Sequence, residues 1–285
     1  MDYLKLMRPK HYIKNFLIFL PLLFSGKLLD FSNILKTLGG VICFSLIASS
    51  IYIINDIKDK DKDRKHKTKC NRPIASGKIS VKNAIIFMVV LLILVTVLVI
   101  AMNFSILSIG FLLLYFILNL VYSLGLKNVP LIDIIILVSG FVIRVLFGAS
   151  ILSITVSNWL YLTVMALSFY LGLGKRRNEI MKTGSNTRKV LKYYTKEFLD
   201  KNMYMFLSMT IIFYSLWTSD VDIVSKSNNL LIWTVPLVIV ICMRYSMDIE
   251  GESDGDPVEV IMHDKVIISL VFLYALSLIT ILYIL

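Results

Sequence analysis

Uninterrupted apolar runs close to twenty residues long recur down the whole chain, the length an α-helix needs to cross a hydrocarbon core about 30 Å thick. Backbone groups in lipid must be bonded within their own segment, so helices are the expected spanning form. The runs predict nine spans, at roughly 15–30, 34–55, 84–102, 103–124, 131–152, 158–174, 203–220, 229–247 and 265–285. Pro21, Ser25, Gly26 and Lys27 shorten and interrupt the first. Composition agrees: 57% of the 285 residues are hydrophobic and 17% charged, against about 25% charged in soluble domains. The expected fold is an all-α integral membrane protein. No small-residue cleavage site follows the first run and no low-complexity linker divides the chain, so one domain, 1–285, is expected. Cys43, Cys70 and Cys242 are too scattered for a disulfide framework or a zinc site.

The net charge of +11 becomes informative once mapped onto the connections. Segment 1–14 carries four Lys/Arg, loop 56–83 ten, and loop 175–202 nine, whereas the alternate connections hold only Lys27, Lys36 and Lys226. The positive-inside rule then places the N-terminus in the cytoplasm and the C-terminus, after nine crossings, outside. The two large charged loops, with the acidic stretch 248–264, share the cytoplasmic face of a multi-pass protein of the cell (inner or plasma) membrane. No nucleic-acid partner is expected, and the oligomeric state is left open, a homo-oligomer included.

The stretch "NDIKDKDKDRKHKTKCNRPIASGK" follows the second run. On a helix continuing out of that span, Asp56, Asp59 and Asp63 fall at i, i+3 and i+7, on one stripe. Three stacked carboxylates repel one another unless a cation lies between them, and hard oxygen ligands at this density suit Mg²⁺. Arg64, Lys67, Lys69 and Arg72 follow, the cations that a metal-bound pyrophosphate needs. Asp61 lies off the stripe and reads as solvated. Pro73 and Gly77 are expected to turn the chain toward the third span. A calcium loop is excluded, because its sixth position is Arg64 and its twelfth Cys70. The competing reading is a self-neutralising or lipid-binding basic loop.

These residues resemble a known family. "NDIKDKDKD" has the N-D-x-x-D-x-x-x-D form of the first aspartate-rich motif of the UbiA prenyltransferase superfamily, nine-helix intramembrane enzymes that handle Mg²⁺-bound diphosphates. Extended through "RPIASG", it is more similar to the decaprenyl-phosphate phosphoribosyltransferase branch. "RPKHYIKN" resembles that branch's R-P-x-x-W-x-K-N, with Tyr12 in place of Trp, and "FYLGLGKRRNE" resembles its Y-L-x-x-x-K-R-x-x-E. "RYSMDIEGESDGDPVEV" is similar to its R-Y followed by P-x-E. Prenyl-diphosphate users of the superfamily usually carry a second aspartate-rich motif where this chain has Lys175, Arg176 and Arg177, with Glu179 as the acid. The resemblance implies 5-phosphoribosyl 1-diphosphate as donor, a polyprenyl phosphate as acceptor and Mg²⁺ as cofactor.

On that basis Asp56, Asp59 and Asp63 are assigned to the metal and Asn55 to orienting the donor or a metal-bound water. Arg72 and Lys67 are assigned to pyrophosphate. Lys175 and Arg176 would hold a phosphate, with Glu179 orienting one of them or a ribose hydroxyl. Lys10, Lys14 and Lys127 are further phosphate candidates, although juxtamembrane cations are commonly topology anchors. Arg144 lies mid-span, where a charge normally faces a cavity or partner; Asp133, three turns away, is too far along the helix to pair with it. Gly140 and Gly148 in the same span read as close helix packing. Arg244 is a donor contact, and stretch 248–264 a lid or a solvated loop. His11, His66 and His263 are too dispersed for a metal set, and Trp159, Trp217 and Trp233 read as interface belts. The alternatives are a prenyltransferase acting on a prenyl diphosphate and an aromatic or other acceptor, and a transporter or lipid-binding scaffold.

Overall fold

The computed structural model describes residues 1–66, 68–183, 188–251 and 257–285, which are helical with no strand among them. In chain order, α1 (Asp2–Met7) is followed by a 3-10 helix (Pro9–Phe19), α2 (Leu20–Phe24), α3 (Phe31–Lys58) and α4 (Lys60–Arg64). Next come α5 (Val81–Ala101), α6 (Ile106–Leu124), α7 (Ile132–Ile151) and α8 (Asn158–Thr183). Then follow α9 (Lys196–Thr218), α10 (Val221–Ser227), α11 (Val235–Glu250), α12 (Pro257–His263) and α13 (Lys265–Tyr283). Among the described residues, six helical stretches are long and apolar enough to cross a membrane: α3, α5, α6, α7, α11 with the short 3-10 turn before it, and α13.

The helices begin where a side chain can take up an orphan N–H. Asp30 caps α3, Ser80 α5, Ser105 α6, Thr195 α9 and Asp264 α13, each accepting a backbone N–H two or three residues ahead. Two expectations change. The first span, 15–30, is no single α-helix but the 3-10 helix running into α2, because Pro21 has no N–H to donate and Gly26, at φ 76°, ends the segment. The loop 175–202 is largely helical, since "KRRNEIMK" is rich in good helix formers and α8 continues through it to Thr183.

The chain divides into two compact units. The first comprises Met1–Leu126 with Ile143–Ile154, the second Lys127–Val142 with Thr155–Leu285. In the first, α3 packs against α5 and α6 and buries Phe44, Ile47 and Ile51 with Tyr115, Ile143 and Phe147. The outward side chains of α5, including Ile86, Ile93 and Ile100, are apolar and exposed, as a lipid-facing helix requires. In the second, α8 packs along α9, and Tyr170, Leu199, Met203 and Ile249 form the core.

Gly148 shows how tightly the 3-10 segment seats. A Cβ at this position of α7 would lie 2.2 Å from the Ile18 carbonyl oxygen, whereas one at Gly110 meets nothing within 4 Å. A backbone oxygen cannot swing aside, so Gly148→Ala is expected to lower stability by about 1–3 kcal/mol. Gly110→Ala, gaining only helix propensity, should be neutral or slightly stabilising. Thermal unfolding of the two variants in detergent checks the contrast.

Candidate active site

The acidic stretch forms its site through a break in the helix. α3 ends at Lys58, Asp59 adopts φ −91°, ψ 7°, and the one-turn α4 begins at Lys60. The uninterrupted stripe expected from sequence is therefore cut by one residue. Asp56 and Asp63 are nevertheless both buried and are joined by one guanidinium: Arg72 Nη1 donates to Asp56 Oδ1 at 3.1 Å and to Asp63 Oδ2 at 2.7 Å. Asp59 and Asn55 are half-buried beside them, while Asp61 is exposed, as expected. Lys67 lies outside the described residues.

Arg72 is delivered by the turn that follows. Pro73 accepts the Ile79 N–H at 3.0 Å, Gly77 takes the left-handed φ of 80° that favours glycine, and Ser80 starts α5. Ile74 and Ile79 are buried against Leu6, Ile53 and Leu91. Arg64 Nε donates to the Ala75 carbonyl at 3.0 Å, tying α4 to the turn.

A second guanidinium comes from the N-terminus. Arg8 Nη2 also donates to Asp56 Oδ1, and its guanidinium carbon lies 5.0 Å from the Tyr52 ring centroid. Arg8 has φ 56°, ψ 60°, a left-handed conformation uncommon for a residue with a side chain. Pro9 disfavours the right-handed helical region for the residue before it, which ends α1 there. A polar seam fixes this segment on α3. Ser49 Oγ donates to the Met7 carbonyl, Tyr12 OH shares a hydrogen bond of 2.8 Å with Ser49 Oγ, and Asn15 Nδ2 donates to Ser45 Oγ at 2.8 Å.

The seam continues to Arg144. Its Nε donates to Asn15 Oδ1 at 2.7 Å and its Nη2 to Tyr115 OH at 3.1 Å, with the guanidinium 4.7 Å from the Phe44 ring centroid. Arg144 is thus buried among polar and aromatic side chains, and Asp133 has a different partner. Lys14 is half-buried and Lys10 exposed.

In the second unit, Arg176 is almost fully buried. Its Nε donates to Asp133 Oδ2 at 2.7 Å and its Nη1 to Glu179 Oε2 at 2.8 Å, while Arg188 reaches Glu179 Oε1 at 3.2 Å. Tyr194 OH donates to Asp133 Oδ1 at 2.5 Å and accepts the Leu131 N–H at 2.7 Å. Burial, then the bond to the Asp133 carboxylate, pushes the Tyr194 hydroxyl above its ordinary range, so it stays a neutral donor. Arg177 Nε donates to Asp200 Oδ1 at 2.5 Å. Lys175 and Lys127 are half-buried. Arg244 donates to Asp264 Oδ2 at 2.5 Å and lines a cavity of about 540 Å³ with Lys182, Asp248 and Lys265. Burial alone would raise Asp264; the Arg244 bond and the Val266 and Ile267 N–H groups outweigh it and hold the carboxyl below its usual range. Residues 252–256 of the acidic stretch lie outside the described residues.

Sequence reasoning left Arg8, Asn15 and Tyr194 without roles and found no partner for Asp133. The available signal was a buried carboxylate at the start of an apolar run, which demands a cation somewhere, and the charge-bearing "RPKHYIKN" before the first span. Among the described residues, no three His, Cys, Asp or Glu side chains gather as a metal-binding group. The donor chemistry still fits a hard divalent cation. Oxygens of Asp56 and Asp63 already converge on one positive charge, and Asp59 lies between them in the chain.

Long apolar helices, with the buried carboxylates of Asp56 and Asp63 paired to partly exposed guanidiniums at the end of one of them, are the features of a multi-pass membrane protein. The chain belongs to the UbiA prenyltransferase family, whose model matches residues 16–245. It is 32% identical to the decaprenyl-phosphate phosphoribosyltransferase of Mycolicibacterium smegmatis, over 93% of this chain and 87% of that one. Identity to the enzyme of the same name from Mycobacterium tuberculosis is 30%, over 92% and 88%. The fold is similar to that of a UbiA homologue from Archaeoglobus fulgidus solved with DMAPP and Mg²⁺, with a TM-score of 0.71, 19% identity and full coverage of both chains.

Proposed function

We propose that this protein is a Mg²⁺-dependent membrane transferase that moves 5-phosphoribose from 5-phosphoribosyl 1-diphosphate to a polyprenyl phosphate and releases pyrophosphate, supplying a precursor for cell-envelope polysaccharide. A phosphate oxygen of the lipid forms a bond to C1 of the ribose, and the bond from C1 to the diphosphate oxygen breaks, its electron pair leaving with pyrophosphate. The attacking phosphate is already anionic at neutral pH, so no strong general base is needed. The remaining work is to stabilise the leaving group and to bring two anions together.

The observation that carries this reading is the make-up of the two charged stretches. The first supplies Asn55, Asp56, Asp59 and Asp63, with Asp56 and Asp63 brought together on Arg72. The second supplies Lys175, Arg176 and Arg177 with Glu179 as the acid, where a second acidic set would otherwise be sought, and Glu179 is engaged by Arg176. That difference in composition favours one metal-bound diphosphate and one metal-free phosphate. The similarity to the mycobacterial phosphoribosyltransferases supports the same substrates.

Asp56, Asp59 and Asp63 would hold Mg²⁺, which when bound supplies positive charge to the leaving diphosphate. Asn55 orients the donor and Arg72 binds diphosphate oxygens. Lys175 holds a phosphate, with Lys10, Lys14 and Lys127 contributing cations, and Glu179 orients Arg176 or a ribose hydroxyl. Arg244 is assigned to the donor, whereas Arg144, buried and bonded to Asn15 and Tyr115, holds the N-terminal segment rather than a substrate phosphate. The excess of Lys/Arg in 1–14, 56–83 and 175–202 supports an active site at the cytoplasmic face of the cell membrane.

Substrate choice is the test. Purified protein is given, in parallel, phosphoribosyl diphosphate with polyprenyl phosphate, and a prenyl diphosphate with an aromatic acceptor, each with Mg²⁺ or a chelator. Pyrophosphate release is expected in the first mixture alone and only with metal. Release confined to the second would make the protein a prenyltransferase.

A further inference from the structure

We propose that Arg8 is a resident counter-cation of the acidic site. Its guanidinium neutralises Asp56 until a divalent cation arrives with a diphosphate, and then turns from the carboxylate to the diphosphate oxygens. The inference rests on the reading that Asp56 and Asp63 hold such a cation.

Three observations carry it. First, Arg8 and Arg72 donate to the same oxygen, Asp56 Oδ1, and Arg72 also to Asp63, so two guanidiniums already offset the two buried carboxylates of a stretch whose third, Asp59, is half-buried. A divalent cation added to this cluster would leave an excess of positive charge, and a diphosphate both removes that excess and offers the displaced guanidinium a stronger bidentate partner. Secondly, the placement of Arg8 is built into the fold. Its backbone is left-handed, Leu6 on the preceding turn is fully buried, and Ser49 and Tyr12 fasten the chain on both sides of it. Thirdly, the side chain has room to move: it is 23% exposed, while the Asp56 side chain is 3% exposed. The anchor stays fixed and the guanidinium swings, with the Tyr52 ring beside it at 5.0 Å.

A purely structural Arg8 would act on the fold alone, whereas a displaceable one has effects of opposite sign on two ligands. The full chain in detergent is titrated with Mn²⁺, followed by electron paramagnetic resonance, with and without inorganic pyrophosphate. Arg8→Gln is expected to bind Mn²⁺ alone several-fold more tightly, because the competing charge is gone. The same variant should lose about tenfold or more of the affinity for pyrophosphate in the presence of Mn²⁺. Arg8→Lys, which keeps the charge but not the fork, should leave Mn²⁺ binding near wild type and still weaken pyrophosphate; it decides the matter where Arg8→Gln fails to fold. Unaltered binding of both ligands in a folded variant, or weakening of both together, overturns the role of Arg8. Wild-type protein that binds no Mn²⁺ removes the metal reading of the acidic stretch, a separate failure.

Discussion

Asp59→Asn is expected to reduce Mg²⁺-dependent transfer by about a hundredfold or more, the scale on which loss of one preorganised charge-stabilising group is felt, with the melting temperature of the protein little changed. Asp59 lies half-buried at the break between α3 and α4, and its substitution by an isostere leaves the helix ends where they are. Asp56→Asn should be as inactive and also less stable. Asp56 is the shared acceptor of Arg8 and Arg72, and its loss takes the Asp56 carboxylate from Arg8 and leaves Arg72 with Asp63. The pair of variants separates an enzyme from a lipid-binding scaffold or transporter. A scaffold relying on basic residues would tolerate both substitutions, so unchanged function in Asp59→Asn and Asp56→Asn alike would remove the metal from the mechanism.

The second large effect concerns Arg176, a basic residue at the place where the superfamily's second acidic motif is expected. Its side chain and that of Asp133 are 1% and 0% exposed. Removing one partner of a buried pair leaves an uncompensated charge, and Arg176→Ala is expected to cost about 3–5 kcal/mol. Replacing both together, Arg176→Met with Asp133→Leu, should recover much of that loss in thermal unfolding, because well-packed apolar side chains often substitute for a buried ion pair. Activity of the double variant then tells position from contact. Tyr194 and Glu179 lose their shared centre in it, so a folded but inactive protein assigns Arg176 and its network to the site, whereas a folded and active one makes the network structural only.

Much of the fold is written in local chemistry. The ends of α5, α6, α7 and α13 lie within three residues of the boundaries read from apolar runs, and α5, α6 and α13 start where Ser80, Ser105 and Asp264 cap them. The first span departs from that pattern because Pro21 and Gly26 favour short, tight helical pieces. The extension of α8 was masked by charge, which reads as loop even where helix propensity is high. The acidic stretch is legible because its period brings Asp56 and Asp63 together despite the break at Asp59. The guanidinium partners are less so: Arg8 reaches Asp56 across 48 residues and Arg176 reaches Asp133 across 43. Pairings that distant depend on tertiary packing, and a left-handed Arg8 has no local sequence signal beyond the proline after it.

The mass of the lipid product tests the proposed reaction most directly. Purified protein, Mg²⁺, labelled 5-phosphoribosyl 1-diphosphate and a defined polyprenyl phosphate should yield the lipid enlarged by one phosphoribosyl group. One pyrophosphate should be released per lipid formed, and none of either once the metal is chelated. An unchanged lipid mass, together with consumption of a prenyl diphosphate and prenylation of an acceptor, would contradict it.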